Sequence, residues 1–116
     1  MSPRRWQQRI RDILEAATEI RSFTAGISYE QFVNDLKTVK AVIADFAVIG
    51  EAAGRIPDEV AAAHPQVPWQ RMRAMRNKLV HIYFNVDTTL VWETIENDLP
   101  PLIEVLKKMV TSFDAS

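Results

Sequence analysis

Apolar residues recur at spacings of three and four along most of the chain, which is the periodicity of amphipathic α-helices. The sequence lacks sustained alternation of apolar and polar residues, and it lacks the Asn-Gly and Asp-Gly pairs that favour β-hairpins. The sequence therefore predicts an all-α protein.

Helix boundaries in the first half are well marked. The first helix is predicted to run from about residue 4 to residue 22 and to end before Gly26. Ser28 and Gln31 have the spacing of a capping box, which predicts the start of a second helix. Asn34, Asp35 and Thr38 are weak helix formers that can cap a helix, so we expect a break between residues 35 and 38.

Two side-chain predictions accompany these helices. On the side of the first helix that we expect to face solvent, Arg11 and Glu15 are four residues apart, which is the spacing of an ion pair. The stretch 41–53 is apolar on nearly all sides, which predicts the central helix of a bundle. Glu51 lies in that stretch, and we expect it to be buried and to orient an arginine.

Prolines divide the second half of the chain. Pro57 ends the central helix, residues 58–63 are expected to form one or two turns, and Pro68 is expected at the first position of the next helix, which should run to about residue 84.

Asp87 is the predicted N-cap of a last helical region over 88–112, which Pro100 and Pro101 should kink. The expected fold is an up-and-down bundle of four to five helices that forms one domain over residues 1–116.

Composition narrows the classes of protein. A chain of 116 residues with 47% hydrophobic and 25% charged residues can form one globular domain. It has no cysteine, which excludes disulfides, thiolate catalysis and cysteine-based zinc sites. No apolar run has the length of a membrane span or the form of a signal peptide, so we expect a cytoplasmic domain without a membrane partner.

Charge is unevenly distributed. The net charge is −1, which argues against a protein that coats nucleic acid by bulk charge. Residues 60–86 nevertheless contain no acid, carry +4 and hold both histidines, which leaves −5 on the rest of the chain. This pattern is typical either of an ordinary basic helix or of a local anion site.

The order of residues in this window suggests a chemistry. A histidine such as His81 can take the proton from a ribose 2′-OH, and Arg76 can hold the phosphate through its permanently charged fork. On an ideal helix these two side chains lie about 140° apart, whereas Asn77 and His81 share a face. Two copies of the helix in a homodimer cleft would bring Arg76 and His81 together.

The sequence resembles the HepT-like proteins, a branch of the HEPN superfamily of small all-α ribonucleases. The resemblance covers nearly the whole chain as an ordered set of segments, which lie at residues 11–16, 28–32, 48–53, 64–69, 75–84, 91–92 and 97–100.

The resemblance implies a homodimeric, metal-independent endoribonuclease toxin that needs no cofactor. Arg76 and His81 match the family's R-x4-H catalytic pair, Asn77 matches its frequent polar companion, and Tyr83 completes R-x4-H-x-Y. The partner it implies is a minimal nucleotidyltransferase antitoxin of the MntA type, which would adenylylate Tyr83.

Other interpretations of the window remain open. Arg71, Arg73 and Lys78 could bind RNA or could form a solvated basic face. His64 and His81 are 17 positions apart and lack the spacing of a zinc site. The alternative functions are a non-catalytic subunit that presents substrate to a partner nucleotidyltransferase, and a structural helical dimer with a vestigial motif.

Overall fold

The computed structural model describes residues 5–75 and 87–115, and every regular secondary-structure element within these ranges is a helix. The predicted all-α fold is confirmed. Its elements are α1 (Trp6–Phe23), α2 (Tyr29–Val33), α3 (Leu36–Gly54), α4 (Asp58–Ala63), α5 (residues 69–75), α6 (Thr88–Glu93), a π-helical turn (Thr94–Asp98) and α7 (Leu99–Asp114).

The core forms where α1 packs against α3 on one side and α7 on the other. Each long helix contributes the apolar stripe that its sequence predicts. Fully buried members of this core are Ile10, Ile13, Ile20, Val42, Ile49, Leu99 and Leu106. Trp69, Met72 and Met75 of α5 are also buried, as their helical spacing predicts.

The predicted boundaries in the first half are confirmed. Gly26 adopts a positive φ of 74°, a conformation that glycine reaches without a Cβ clash. The Ser28 and Gln31 capping box is formed in both directions. α2 then ends, and Asp35 caps α3 by accepting a hydrogen bond from the backbone N–H of Thr38. The short polar side chains thus split one apolar stripe into two helices.

The connection into α5 differs by one residue from its prediction. Pro68 precedes the first helical residue, and its carbonyl accepts a hydrogen bond of 3.1 Å from the N–H of Met72. Pro68 is therefore the N-cap and not the first helical residue. The indole Nε1 of Trp69 donates to the carbonyl of His64 at 3.0 Å, which closes the turn after α4.

The predicted irregularity at Pro100 and Pro101 takes the form of the π-helical turn. Proline has no N–H, so the carbonyls one turn earlier lose their usual donors. The N–H of Leu99 bonds to the carbonyl of Thr94, five residues back, and this leaves the carbonyl of Ile95 without a helical partner. Arg21 of α1 supplies one, because its Nη1 lies 3.4 Å from that oxygen. Asp87 caps α6 as predicted.

Two predictions about side chains are wrong. Arg11 pairs with Asp114 at the end of α7, a residue 103 positions away, in place of Glu15. The guanidinium also lies over the ring of Phe113, and it holds the pKa of the Asp114 carboxyl below its ordinary value. The tertiary partner prevails because α7 brings an aromatic face and a carboxylate together beside Arg11.

The interpretation of 41–53 as a central helix is also wrong in part. Val42, Phe46 and Ile49 are buried, but the opposite face of α3 is exposed. Glu51 lies on that exposed face and pairs with Arg55 four residues later at 3.5 Å. It does meet an arginine, but in solvent and on its own helix.

Candidate nucleic-acid interface

The predicted catalytic and modified residues lie outside the described part of the chain. Arg76, Asn77, Lys78, His81 and Tyr83 all belong to residues 76–86. The predicted end of that helix near residue 84 falls there too. The described part of α5 reaches Met75, directly before Arg76 in sequence, and the chain is described again from Asp87. The interface can therefore be described from α5 and the elements that contact it.

Arg71 and Arg73 are the two predicted RNA-binding residues that the structure describes. Arg71 is 74% exposed in its side chain, and its guanidinium lies 3.6 Å from the carboxylate of Asp98. Arg73 is half-buried, and its Nε donates to the carbonyl of Ala53 at 3.0 Å. Arg73 thereby fastens α5 to the last turn of α3, whereas Arg71 is mostly exposed and has Asp98 as its ion-pair partner.

A groove lies between α5 and the π-helical turn. Its volume is about 300 Å³, and its walls combine apolar and polar side chains: Arg71, Met75, Leu90, Glu93, Thr94, Asn97 and Asp98. Met75, one of the residues that line this groove, directly precedes Arg76 of the R-x4-H motif in sequence. Its Arg71 and Asp98 pair carries opposite charges at one rim, and Met75 and Leu90 form part of its apolar lining.

Sequence reasoning missed the acidic wall of this groove. Glu93, Asn97 and Asp98 come from α6 and the π-helical turn. Helical periodicity did not predict that these side chains line a groove. The resemblance segment at 97–100 and the pair of prolines at 100 and 101 marked this stretch, but neither indicated which side chains would turn toward α5.

The wall formed by α6 is held in place by α2. The ring of Trp92 lies 5.3 Å from that of Phe32 and 6.1 Å from that of Tyr29. The Tyr29 hydroxyl makes a hydrogen bond of 2.8 Å to Thr88, and this contact lowers the pKa of the phenol. The capping box that starts α2 thus also positions one side of the groove.

A separate cluster of carboxyl groups lies between α1 and α3. Asp45 is half-buried, and its Oδ2 is inaccessible to water and has no hydrogen-bond partner. The pKa of Asp45 is raised to about 7, first by burial and then by a hydrogen bond and the charge of Glu19 and by the charge of Glu15. Glu15 is exposed, whereas Glu19 is partly buried where it contacts Asp45.

Within residues 5–75 and 87–115, no group of three or more His, Cys, Asp or Glu side chains is arranged to hold a metal ion. None of the helices in those ranges is long and apolar enough to cross a membrane.

Comparison with known proteins shows the family. The family model described as "Ribonuclease HepT-like" matches residues 13–109. The chain is 42% identical over 100 residues to a "Probable ribonuclease HepT" of Thermococcus cleftensis, covering 86% of this chain and 91% of that protein. It is 36% identical over 103 residues to "Putative RNase MJ0127" of Methanocaldococcus jannaschii, covering 89% and 85%.

A third relative also carries a ribonuclease name. The chain is 39% identical over 85 residues to "Putative RNase TTE0752" of Caldanaerobacter subterraneus, covering 73% of this chain and 76% of that protein. No solved structure matches the chain significantly. The helical fold and these matches define the class as the all-α HEPN type. Within that class, the chain belongs to the HepT-like ribonuclease family.

Proposed function

We propose that this protein is a metal-independent endoribonuclease that cuts RNA in the cytoplasm. In this proposal His81 removes the proton from a ribose 2′-OH, and the 2′-oxygen attacks the adjacent phosphorus. Arg76 stabilises the negative charge that develops on the phosphate, and Asn77 positions the phosphate or the imidazole. The bond to the 5′-oxygen breaks, that oxygen takes a proton, and the products are a 2′,3′-cyclic phosphate and a 5′-hydroxyl end.

The observation that carries the proposal is the family match over residues 13–109, a range that includes the whole Arg76 to Tyr83 segment. The charge pattern supports it, since the segment lies in a window of 27 residues without an acid. Arg71 adds an exposed guanidinium five residues before Arg76 in the sequence. Arg71, Arg73 and Lys78 would then contribute to RNA binding through phosphate contacts.

The proposal includes a homodimer. Arg76 and His81 face different directions on one ideal helix, and a second copy would allow them to act on one phosphate. A two-fold cleft would also double the local positive charge, which attracts RNA although each chain is close to neutral overall.

The proposal also includes control by a partner. We infer that an MntA-like nucleotidyltransferase acts as antitoxin and transfers AMP to the hydroxyl of Tyr83, releasing pyrophosphate from ATP. An AMP group there would place bulk and a negative phosphate beside Arg76, which would repel the RNA backbone.

RNA cleavage in EDTA tests the nuclease. We expect the protein to cut labelled RNA with cyclic-phosphate ends, and Arg76→Ala and His81→Ala to reduce the rate at least 100-fold. Matched controls are Arg55→Ala and His64→Ala, which remove the same side-chain types far from the motif in sequence and should leave the rate unchanged. Activity that survives Arg76→Ala and His81→Ala would refute the proposed roles. RNA binding without any cleavage would favour the alternative, a non-catalytic subunit that presents substrate to the partner.

Intact-mass measurement tests the modification. After co-expression with a minimal nucleotidyltransferase, the protein should gain the mass of one AMP and lose ribonuclease activity. The adduct should be absent in Tyr83→Phe and present in Tyr29→Phe, the other tyrosine of the chain. An adduct that persists in Tyr83→Phe would contradict the assignment.

A further inference from the structure

The groove between α5 and the π-helical turn has one basic wall and one wall that carries carboxylates. Arg71 belongs to α5, whereas Glu93 and Asp98 come from α6 and the π-helical turn. The guanidinium of Arg71 lies 3.6 Å from the carboxylate of Asp98, so these two charges are already paired. Glu93 is exposed, and no ion pair or hydrogen bond joins its side chain to another residue of the described ranges 5–75 and 87–115. The groove thus contains one carboxylate that is left for a ligand.

The charge and the size of the groove favour a neutral ring as its ligand. Two carboxylates and one guanidinium repel a phosphate, so the sugar-phosphate backbone of a nucleic acid would stay outside. A volume of about 300 Å³ is at the small end of ligand sites, which measure ~300–1,000 Å³, and it suits a single ring system. Met75 and Leu90 supply apolar lining, and the thioether of a methionine packs favourably on an aromatic ring.

The carboxylate of Glu93 discriminates among the four bases of RNA. Guanine presents two adjacent donors, N1–H and N2–H, which one carboxylate can accept in parallel. Adenine and cytosine present one donor beside a ring nitrogen with a lone pair, and uracil presents one donor between two carbonyl oxygens, so each places an acceptor against the carboxylate. On its other edge guanine carries the acceptors O6 and N7, which suit an arginine. Guanine is therefore the base that matches both walls of the groove.

We propose that this groove binds a guanine base of the RNA substrate, with Glu93 accepting hydrogen bonds from N1–H and N2–H and Arg71 donating to O6 or N7. The inference deepens the proposed function, because it rests on RNA being the substrate and gives the ribonuclease a base preference. Met75 directly precedes Arg76, the residue assigned to the scissile phosphate, in sequence. The recognised guanosine therefore belongs close to the point of cleavage, and each cut should lie a fixed number of nucleotides from a guanine.

Nucleotide binding tests the groove without any cleavage. The chain has four methionines, so the isotope-labelled methyl signal of Met75 can be assigned with Met75→Leu and followed by NMR during a titration. Guanosine monophosphate should shift this signal. Inosine monophosphate lacks only the N2 amino group and should bind about tenfold more weakly, as expected for the loss of one hydrogen bond to a charged group.

The other nucleotides serve as controls for the phosphate and the sugar, which all of them share. The monophosphates of adenosine, cytidine and uridine should leave the Met75 signal unchanged at about 10 mM. A Met75 signal that ignores every nucleotide, or that responds equally to guanosine and adenosine monophosphate, would overturn the guanine site.

Glu93→Gln changes the chemistry of the acidic wall and keeps its size. The amide offers one acceptor and one donor, which suits adenine as well as guanine, so the preference for guanosine over adenosine monophosphate should fall about tenfold or more. Glu96→Gln is the matched control, because Glu96 pairs with Arg21 at 3.5 Å and is not among the residues that line the groove. It should leave the preference unchanged. An unchanged preference in Glu93→Gln would overturn the role of Glu93.

Cleavage of short RNAs separates this inference from the proposed function. In EDTA, an RNA of adenine and uracil with one guanine should be cut at one position, and replacing that guanosine with inosine should slow the cut about tenfold. Cuts at many positions irrespective of guanine would overturn the inference and leave the ribonuclease intact. A Met75 signal that responds selectively to guanosine monophosphate, in a protein that cuts no RNA, would support the guanine site and overturn the proposed nuclease.

Discussion

Asp45 should make the stability of this protein fall as the pH rises through the neutral range. Its carboxyl group is half-buried beside Glu19, and its pKa is raised from 3.8 to about 7. In the unfolded chain the group ionises near its ordinary value. Between about pH 4 and pH 7 the folded state therefore binds more protons than the unfolded state, and the free energy of unfolding decreases as the pH increases.

The magnitude follows from the difference between the two pKa values. One pKa unit corresponds to about 1.4 kcal/mol, so the full shift would cost at most about 4 kcal/mol above pH 7. Water reaches part of the side chain and screens its charge, so we expect about 1–2 kcal/mol. Asp45→Asn keeps the shape, removes the charge and can donate a hydrogen bond to Glu19. It should match the wild type near pH 4.5 and exceed its stability by this amount at pH 8.

Urea unfolding at fixed protein concentration measures the effect. Fluorescence of the three tryptophans reports the transition, and the difference between Asp45→Asn and the wild type is taken at intervals from pH 4.5 to 8.5. Glu59→Gln, an exposed acid on α4, is the control and should give a difference that does not vary with pH. A flat difference for Asp45→Asn, or a variant less stable than the wild type at pH 8, would refute the reasoning.

Three further substitutions test the packing and the helix ends. Met72→Ala should lower the free energy of unfolding by about 2–5 kcal/mol, because the side chain is fully buried, whereas Met72→Leu should cost less than about 1.5 kcal/mol in the same urea assay. Arg21→Ala should cost about 1 kcal/mol and speed amide exchange in the π-helical turn, because the carbonyl of Ile95 loses its donor; unchanged exchange would contradict that role. Asp35→Ala should cost about 1 kcal/mol of thermal stability and Asp35→Asn much less, and equal losses would argue against the cap at Thr38.

Local signals explain why so many boundaries could be predicted. Ser28 with Gln31, Asp35 and Asp87 each satisfy backbone N–H groups only a few residues away, so their effect can be found from spacing alone. The errors concern partners distant in sequence. Arg11 meets Asp114 because α1 and α7 pack side by side, and no helical period reveals that contact.

The candidate site also has one part that the sequence predicts and another part that only the structure shows. The R-x4-H motif and its acid-free window could be found from the sequence, and the roles of Arg76, His81 and Tyr83 remain predictions. The groove beside Met75 could not be found from the sequence, because its walls come from α5, α6 and the π-helical turn.

The sequence by itself determined the helical class, most helix ends and the family, because periodicity, capping and motif order act over short stretches of chain. The tertiary structure alone decided which charges meet and which apolar surfaces remain exposed. It placed half-buried Asp45 beside Glu19 and left one side of α3 exposed. The physical reason is that burial and charge pairing depend on distances through space, and only helix packing sets these distances.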